Sequence, residues 1–260
     1  MRLIVVGLAA VAAGVVAATA FAQQAAAPAG YIPALPDTNL ILRPSPKEGD
    51  PRDLEDRRVF NASRVLEGAP RWAMAQADVP TATASVLANF SCAVGVKLDP
   101  TTAPKVTAIL ARSAIDVGRL NSAAKAVYQR KRPYVRWGGK ICTPASPPLD
   151  SSFDYPSGHA QLGWAYALIL AEIAPARAAP ILARGRAFAE SRVVCGVHTI
   201  SASEAGMLLG SAQVSLAHAQ PAFKADLEAA RAELTALRTS GAKPDTALCA
   251  RDADLNRTPW

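Results

Sequence analysis

Three short segments of this chain combine residue types suited to handling an anion. Lys125, Arg130, Lys131 and Arg132 gather near the end of a long helical pattern, just before Pro133. Taken alone, such a group is an ordinary cationic helix C-terminus that complements the helix dipole. Pro156-Ser157-Gly158-His159 reads as a loop opening into a helix. Ser and Gly there leave main-chain N–H groups free to cradle an anion. The Ser157 hydroxyl adds a donor, and His159 is placed to protonate a leaving oxygen. In the third segment, Ser191-Arg192 is followed after five residues by His198. Arg192 offers a planar fork for two phosphate oxygens, and a neutral His198 imidazole is a nucleophile for phosphorus.

The order and spacing of these segments resemble the type 2 phosphatidic acid phosphatase (PAP2) superfamily, whose signature is KX6RP, then PSGH, then SRX5HX3D. Lys125, Arg132 and Pro133 match the first element, Pro156 to His159 the second, and Ser191, Arg192 and His198 the third up to its last position. Gly163-Trp164-Ala165, Ala171-Glu172-Ile173 and the run from Ser191 to His198 look like the class A nonspecific acid phosphatases, the exported branch without membrane helices. The resemblance covers roughly residues 50 to 235. It implies a phosphate pocket made by Lys125, Arg132, Ser157, Gly158 and Arg192, with His198 attacking phosphorus and His159 serving the leaving group.

The signature ends on an Asp four residues after the nucleophilic histidine, and here that position is Ala202. On a helix the i,i+4 neighbour shares a face, so a carboxylate there would accept the imidazole N–H and fix the reactive tautomer. Glu204 lies too far round an ideal helix to substitute, and Ser201 and Ser203 bring no charge. Losing the orienting carboxylate of a serine-protease triad costs on the order of 10⁴ in turnover, so an enzyme impaired at this position is expected.

The elements that must carry these residues read as helices nearly throughout. Helical patterns start at Pro51 after Asp50, with Leu54, Val59, Ala62, Val65 and Leu66 as the apolar set, and at Pro80. Others run over about 102–131, 158–173, 180–194, 198–217 and 221–237. The span from Pro133 to Pro156, rich in Pro and Gly, reads as a long loop, and Tyr134, Trp137 and Phe153 either line a pocket mouth or pack the loop down. No run alternates as a strand would. The expected fold is all-α, a single-domain helical bundle of the PAP2/acid phosphatase type. Residues 51–240 would form the domain, 23–50 a Pro/Ala-rich arm and 241–260 a tail.

Residues 1–22 have the basic start, apolar run and A-x-A end of a secretory signal peptide, which predicts a periplasmic or secreted protein. The later apolar stretch, Leu162 to Ile173, is far short of the ~20 residues that span a bilayer, so no stable membrane insertion is expected after cleavage. Cys92, Cys142, Cys195 and Cys249 are an even set suited to disulfides in an oxidising compartment, with three pairings open. With three histidines and no C-x-x-C spacing, a metal cluster is not expected, and no cofactor is implied. A net charge of +7 spread along the chain argues against a nucleic-acid face and suits small phosphorylated substrates.

The expected function is that of an exported acid phosphatase hydrolysing phosphate monoesters through a phosphohistidine. The alternatives are a catalytically weakened phosphate or phosphoester binder, a lipid-phosphate phosphatase, and vanadate-dependent haloperoxidase chemistry in a similar pocket. A homodimer is an assembly the resemblance allows.

Overall fold

Proline marks where helices begin. It occupies the first turn of α2 (Pro51–Ser63), α3 (Pro70–Ala77), α5 (Pro104–Tyr128), α6 (Pro133–Trp137), α7 (Pro147–Ser151) and α11 (Pro221–Ser240). At that position the missing N–H costs nothing and φ is already helical. The remaining helices are α1 (Thr38–Ile41), α4 (Thr83–Val94), α8 (Gly158–Ile173), α9 (Ala178–Val194), α10 (Ile200–Ala217) and α12 (Thr246–Leu255). This computed structural model describes residues 29–256, so the segment 1–22 read as a signal peptide and residues 23–28 lie outside the described residues, as do 257–260. Among the described residues there is no strand, and the fold is all-α as the patterning predicts.

The apolar α8 is the central post, packed on α9 and α10 and touching α5 and α11. One large core joins Phe90, Ile109, Leu110, Tyr166, Ile169, Leu170, Phe188 and Phe223 from five helices. Burial of this kind, at about 25 cal/mol per Å² of apolar surface, is the main favourable term in folding. Along α11 the amphipathic face Phe223, Leu227, Ala230 and Leu234 is buried. In α5, Val106, Ile109, Leu110, Val117, Leu120 and Ala124 are buried, whereas Val127, in the last turn, is 56% exposed.

Two expectations need correction. The apolar face assigned to α2 is not the face it buries: Leu54 and Val65 are exposed, while Asp53, Asp56, Val59, Phe60 and Ser63 are inside. Two buried acids replace aliphatic residues because a buried arginine faces them. The span from Pro133 to Pro156 is not a plain loop, since α6 and α7 each form one proline-started turn within it. Trp137 packs on Phe60 at 5.5 Å between ring centres, and the Tyr134 hydroxyl donates to Asp150 at 2.6 Å, so both residues hold the segment down. In the arm, Tyr31, Ile32 and Leu42 are buried, whereas Leu35 and Leu40 face outward. The stretch assigned as a tail holds α12, tied back to α4 by Cys92–Cys249, and the second disulfide joins Cys142 to Cys195.

The close approach of α10 to the start of α8 depends on Gly206, where an added Cβ would stand 2.4 Å from the Ser157 carbonyl oxygen. Gly118, on the exposed side of α5, has open space around the same position. Gly206→Ala should therefore cost about 1–3 kcal/mol by overpacking, a fall of about 2–12 °C in Tm for a chain of this length. Gly118→Ala should be neutral or stabilising by about 0.5–1 kcal/mol. Thermal unfolding of the two variants side by side checks both.

Candidate active site

His198 occupies the short turn between α9 and α10. The chain leaves α9 through Cys195, which is disulfide-bonded to Cys142, and Gly196, whose φ of 80° is the left-handed region that suits glycine. Arg64 closes the end of α9 by donating to the carbonyls of Val193 and Val194 at 2.9 and 2.6 Å. The His198 main-chain N–H reaches back to the Arg192 carbonyl, so His198 and Arg192 are fixed relative to one another. His198 is buried, 1% exposed.

Its tautomer follows from its neighbours. Nδ1 lies 2.7 Å from the main-chain carbonyl of Asp154 and 3.0 Å from that residue's Oδ1. A carbonyl oxygen can only accept, so Nδ1 carries the hydrogen. On the opposite edge, Arg132 Nη1, which can only donate, lies 2.9 Å from Nε2. Nε2 therefore presents a lone pair. Burial first, then the charges of Arg132, Lys125 and Arg192, holds the His198 imidazole well below the ordinary histidine range and keeps it neutral.

The cations around this nitrogen come from three elements. Lys125 sits in the last turn of α5, where burial and then Arg132 push its ammonium down to about 8. Arg132 follows that helix and is steadied by the Ser152 hydroxyl at 3.0 and 2.8 Å and by the Val197 carbonyl at 2.8 Å. Arg192, in the last turn of α9, is buried with its Nε and Nη1 lacking any protein hydrogen-bond acceptor. Buried donors left unpaired are costly, so a site that retains them is built for an acceptor such as a phosphoryl oxygen.

Ser157 caps α8. Its hydroxyl oxygen accepts from the Ala160 N–H at 3.3 Å, which leaves the hydroxyl hydrogen available. The first-turn N–H groups of Gly158 and His159 have no intrahelical acceptor. The His159 Nε2–H donates to the Val79 carbonyl at 2.9 Å, which leaves Nδ1 as the nitrogen able to serve a substrate. Burial, then Arg192, keeps His159 well below its ordinary value.

The chain resembles known proteins over most of its length. The PAP2 superfamily profile matches residues 105–225. The chain is 41% identical to the acid phosphatase of Zymomonas mobilis over 82% of its own length and 81% of that protein. It is 34% identical to a non-specific acid phosphatase of Providencia stuartii, over 78% and 82% of the two chains, and 32% identical to one of Salmonella typhimurium, over 76% and 80%. The chain belongs to the PAP2 superfamily, in its branch of bacterial non-specific acid phosphatases.

The structure brings Lys125, Arg132, Ser157, Gly158, His159, Arg192 and His198 of this PAP2 chain to one region. Other members of the motifs are occupied elsewhere. Arg130 is consumed by buried acids, Lys131 is exposed, and Ser191 donates to Asp78 at 2.6 Å while accepting from Arg71 at 2.9 Å. Glu204 pairs with Arg52 at the surface and does not approach His198. Ala202 lies in an apolar cluster with Leu120, Ala124, Tyr155 and Leu209. Sequence reasoning missed Asp154, Thr199, Ser152 and Asn121, whose amide holds the Pro156 carbonyl at 3.2 Å. An acid two residues before the PSGH run was the one available cue.

Because Lys125 loses its proton near pH 8, affinity for inorganic phosphate should weaken as pH rises from 7.5 to 9.5, where phosphate itself is already a dianion. Lys125→Met should bind more weakly throughout and lose that dependence. Calorimetric titration across this range checks the sign.

Proposed function

We propose that this protein is an exported acid phosphatase that hydrolyses phosphate monoesters through a phosphohistidine at His198. The observation that carries the reading is the unprotonated Nε2 of a neutral, buried imidazole, held against Arg132 and within the electrostatic reach of the buried Arg192 guanidinium, whose Nε and Nη1 have no protein acceptor. Phosphoryl transfer needs positioning and preorganised positive charge more than covalent novelty, and Lys125, Arg132, Arg192, Ser157 and the first N–H groups of α8 supply both.

In the first step the Nε2 lone pair forms a bond to phosphorus as the ester P–O bond breaks in line. The leaving alkoxide takes a proton from Nδ1 of His159. That imidazole is kept neutral in the free protein by burial and Arg192, so a dianionic phosphoryl group is what favours its charged form. In the second step water attacks the phosphohistidine and its proton passes to His159. Inorganic phosphate leaves, and both imidazoles return to their starting state.

Export to the periplasm or beyond fits the two disulfides. Small soluble phosphate esters are preferred over lipid phosphates as substrates, because no described helix is long and apolar enough to cross a membrane. The acid-phosphatase names of the relatives support the same substrate class.

Hydrolysis of p-nitrophenyl phosphate between pH 4 and 8 should be lost in His198→Ala and unaffected by EDTA. Rapid quenching into alkali should trap a phosphoryl-enzyme stable to base and labile to acid. His159→Ala should lose about 10²–10⁴ in rate with alkyl phosphates and less with p-nitrophenyl phosphate, whose leaving group needs little protonation. Full activity in His198→Ala, or a strict divalent-metal requirement, would overturn the proposal.

A further inference from the structure

The PAP2 signature places an orienting carboxylate one helical turn after the nucleophile, and here that position is Ala202, buried among apolar side chains. An imidazole whose N–H meets a carboxylate is held in one tautomer and gains stabilisation as positive charge develops on it, a contribution a neutral acceptor cannot match. Something in this chain must supply that charge or the nucleophile goes without it.

We infer that Asp154 is the orienting carboxylate of this enzyme, delivered from the segment before the PSGH motif instead of from α10. This rests on the phosphohistidine reading of His198 and names how that nucleophile is set. Asp154 is completely buried, and its two oxygens are surrounded by donors. Oδ1 accepts from His198 Nδ1 at 3.0 Å and from the Thr199 N–H at 3.1 Å. Oδ2 accepts from the Thr199 hydroxyl at 2.8 Å and from Arg130 Nη1 at 3.3 Å. The Asp154 main-chain N–H donates to the Arg130 carbonyl at 2.6 Å, so the residue is held by backbone and side chain together. Burial pushes the Asp154 carboxyl up, while Arg130 and the two Thr199 donors oppose it. The donor arrangement is that of an ionised carboxylate.

Its surroundings explain why the charge is tolerated at this new place. Arg130 also meets Asp56 at 2.8 Å and Asp53 at 2.7 Å, both from the buried face of α2. Asp56 in turn accepts from the Ser201 N–H and hydroxyl at 2.9 and 2.6 Å, in the first turn of α10. Thr199 caps α10 by accepting from the Ala202 N–H at 3.2 Å while donating to Asp154. The start of α10 is therefore joined to Asp154 through hydroxyls and main chain, and the side chain at 202 is free to be a methyl group. Asp154 acts through His198 and does not itself meet the substrate, which makes it a positioning residue.

Three variants test this on the full mature protein. Asp154→Asn keeps the shape and the main-chain carbonyl contact but removes the charge, and should lower kcat about 10²-fold or more while KM moves less than about threefold. Ala202→Asp in the otherwise unchanged chain should give no gain, whereas in the Asp154→Asn background it should restore part of the loss. A tenfold gain from Ala202→Asp alone would show the orienting position vacant and overturn the inference, whether or not Asp154→Asn folds. An unchanged kcat in a folded Asp154→Asn would overturn it too, leaving the carbonyl as sufficient. Should the unaltered protein show no turnover above His198→Ala, the phosphatase reading fails separately. The inference is then read by nitrogen-15 NMR, which should find Nδ1 protonated and Nε2 bare at neutral pH. That Nδ1 proton should lie far downfield and move upfield in Asp154→Asn, and an Nε2–H tautomer or an unmoved proton would refute the assignment.

Discussion

Arg130 is the residue on which the geometry of the site turns. It is buried to 7% exposure with acids on three sides, and each acid belongs to a different obligation: Asp53 to the start of α2, Asp56 to the first turn of α10, and Asp154 to His198. Neither the guanidinium nor any of these carboxylates would be stable alone at this depth, because removing one partner leaves an uncompensated buried charge. The cluster is therefore kept or lost as a unit. It fastens two helices and the segment before PSGH around His198, a place where hydrophobic packing could supply contact but not direction.

A second buried ionic group does comparable work on the other histidine. Asp78 is held by Arg184, Ser191 and Asn89, and Ser191 is in turn held by Arg71. This fixes the end of α3 next to Val79, whose carbonyl orients His159. The serine of the SR motif thus helps set His159 from a distance, while its neighbour Arg192 brings its charge to bear on both His159 and His198. One residue step along a helix separates a structural task from a binding one.

The long helices were legible because their apolar residues recur at helical spacing and because Pro and Gly punctuate them. Gly158–Ile173 and the buried face of α11 are clear cases. The site cations and both histidines were legible because their spacing forms motifs. What escaped has a common physical cause. The inner face of α2 carries Asp53 and Asp56, and a hydrophobic pattern finds buried faces only when they are apolar. Asp154 escaped for a related reason. A helical reading of 198–217 offers His198 only partners one turn onward, whereas the carboxylate arrives from 44 residues away, a distance that sequence order does not reveal.

The contact between Arg132 and Nε2 gives the resting protein a property of its own. On the proposed phosphohistidine route, the guanidinium that would grip a phosphoryl oxygen spends its hydrogen, in the free state, on the lone pair that would attack. An incoming phosphate competes for that hydrogen, and as it wins, the imidazole is uncovered beside an electrophile already in the pocket. Uncharged electrophiles have no means of drawing the arginine aside. On that route the nucleophile is masked by the group that would recognise the substrate, and selectivity for an anion is built into the act of baring the nitrogen.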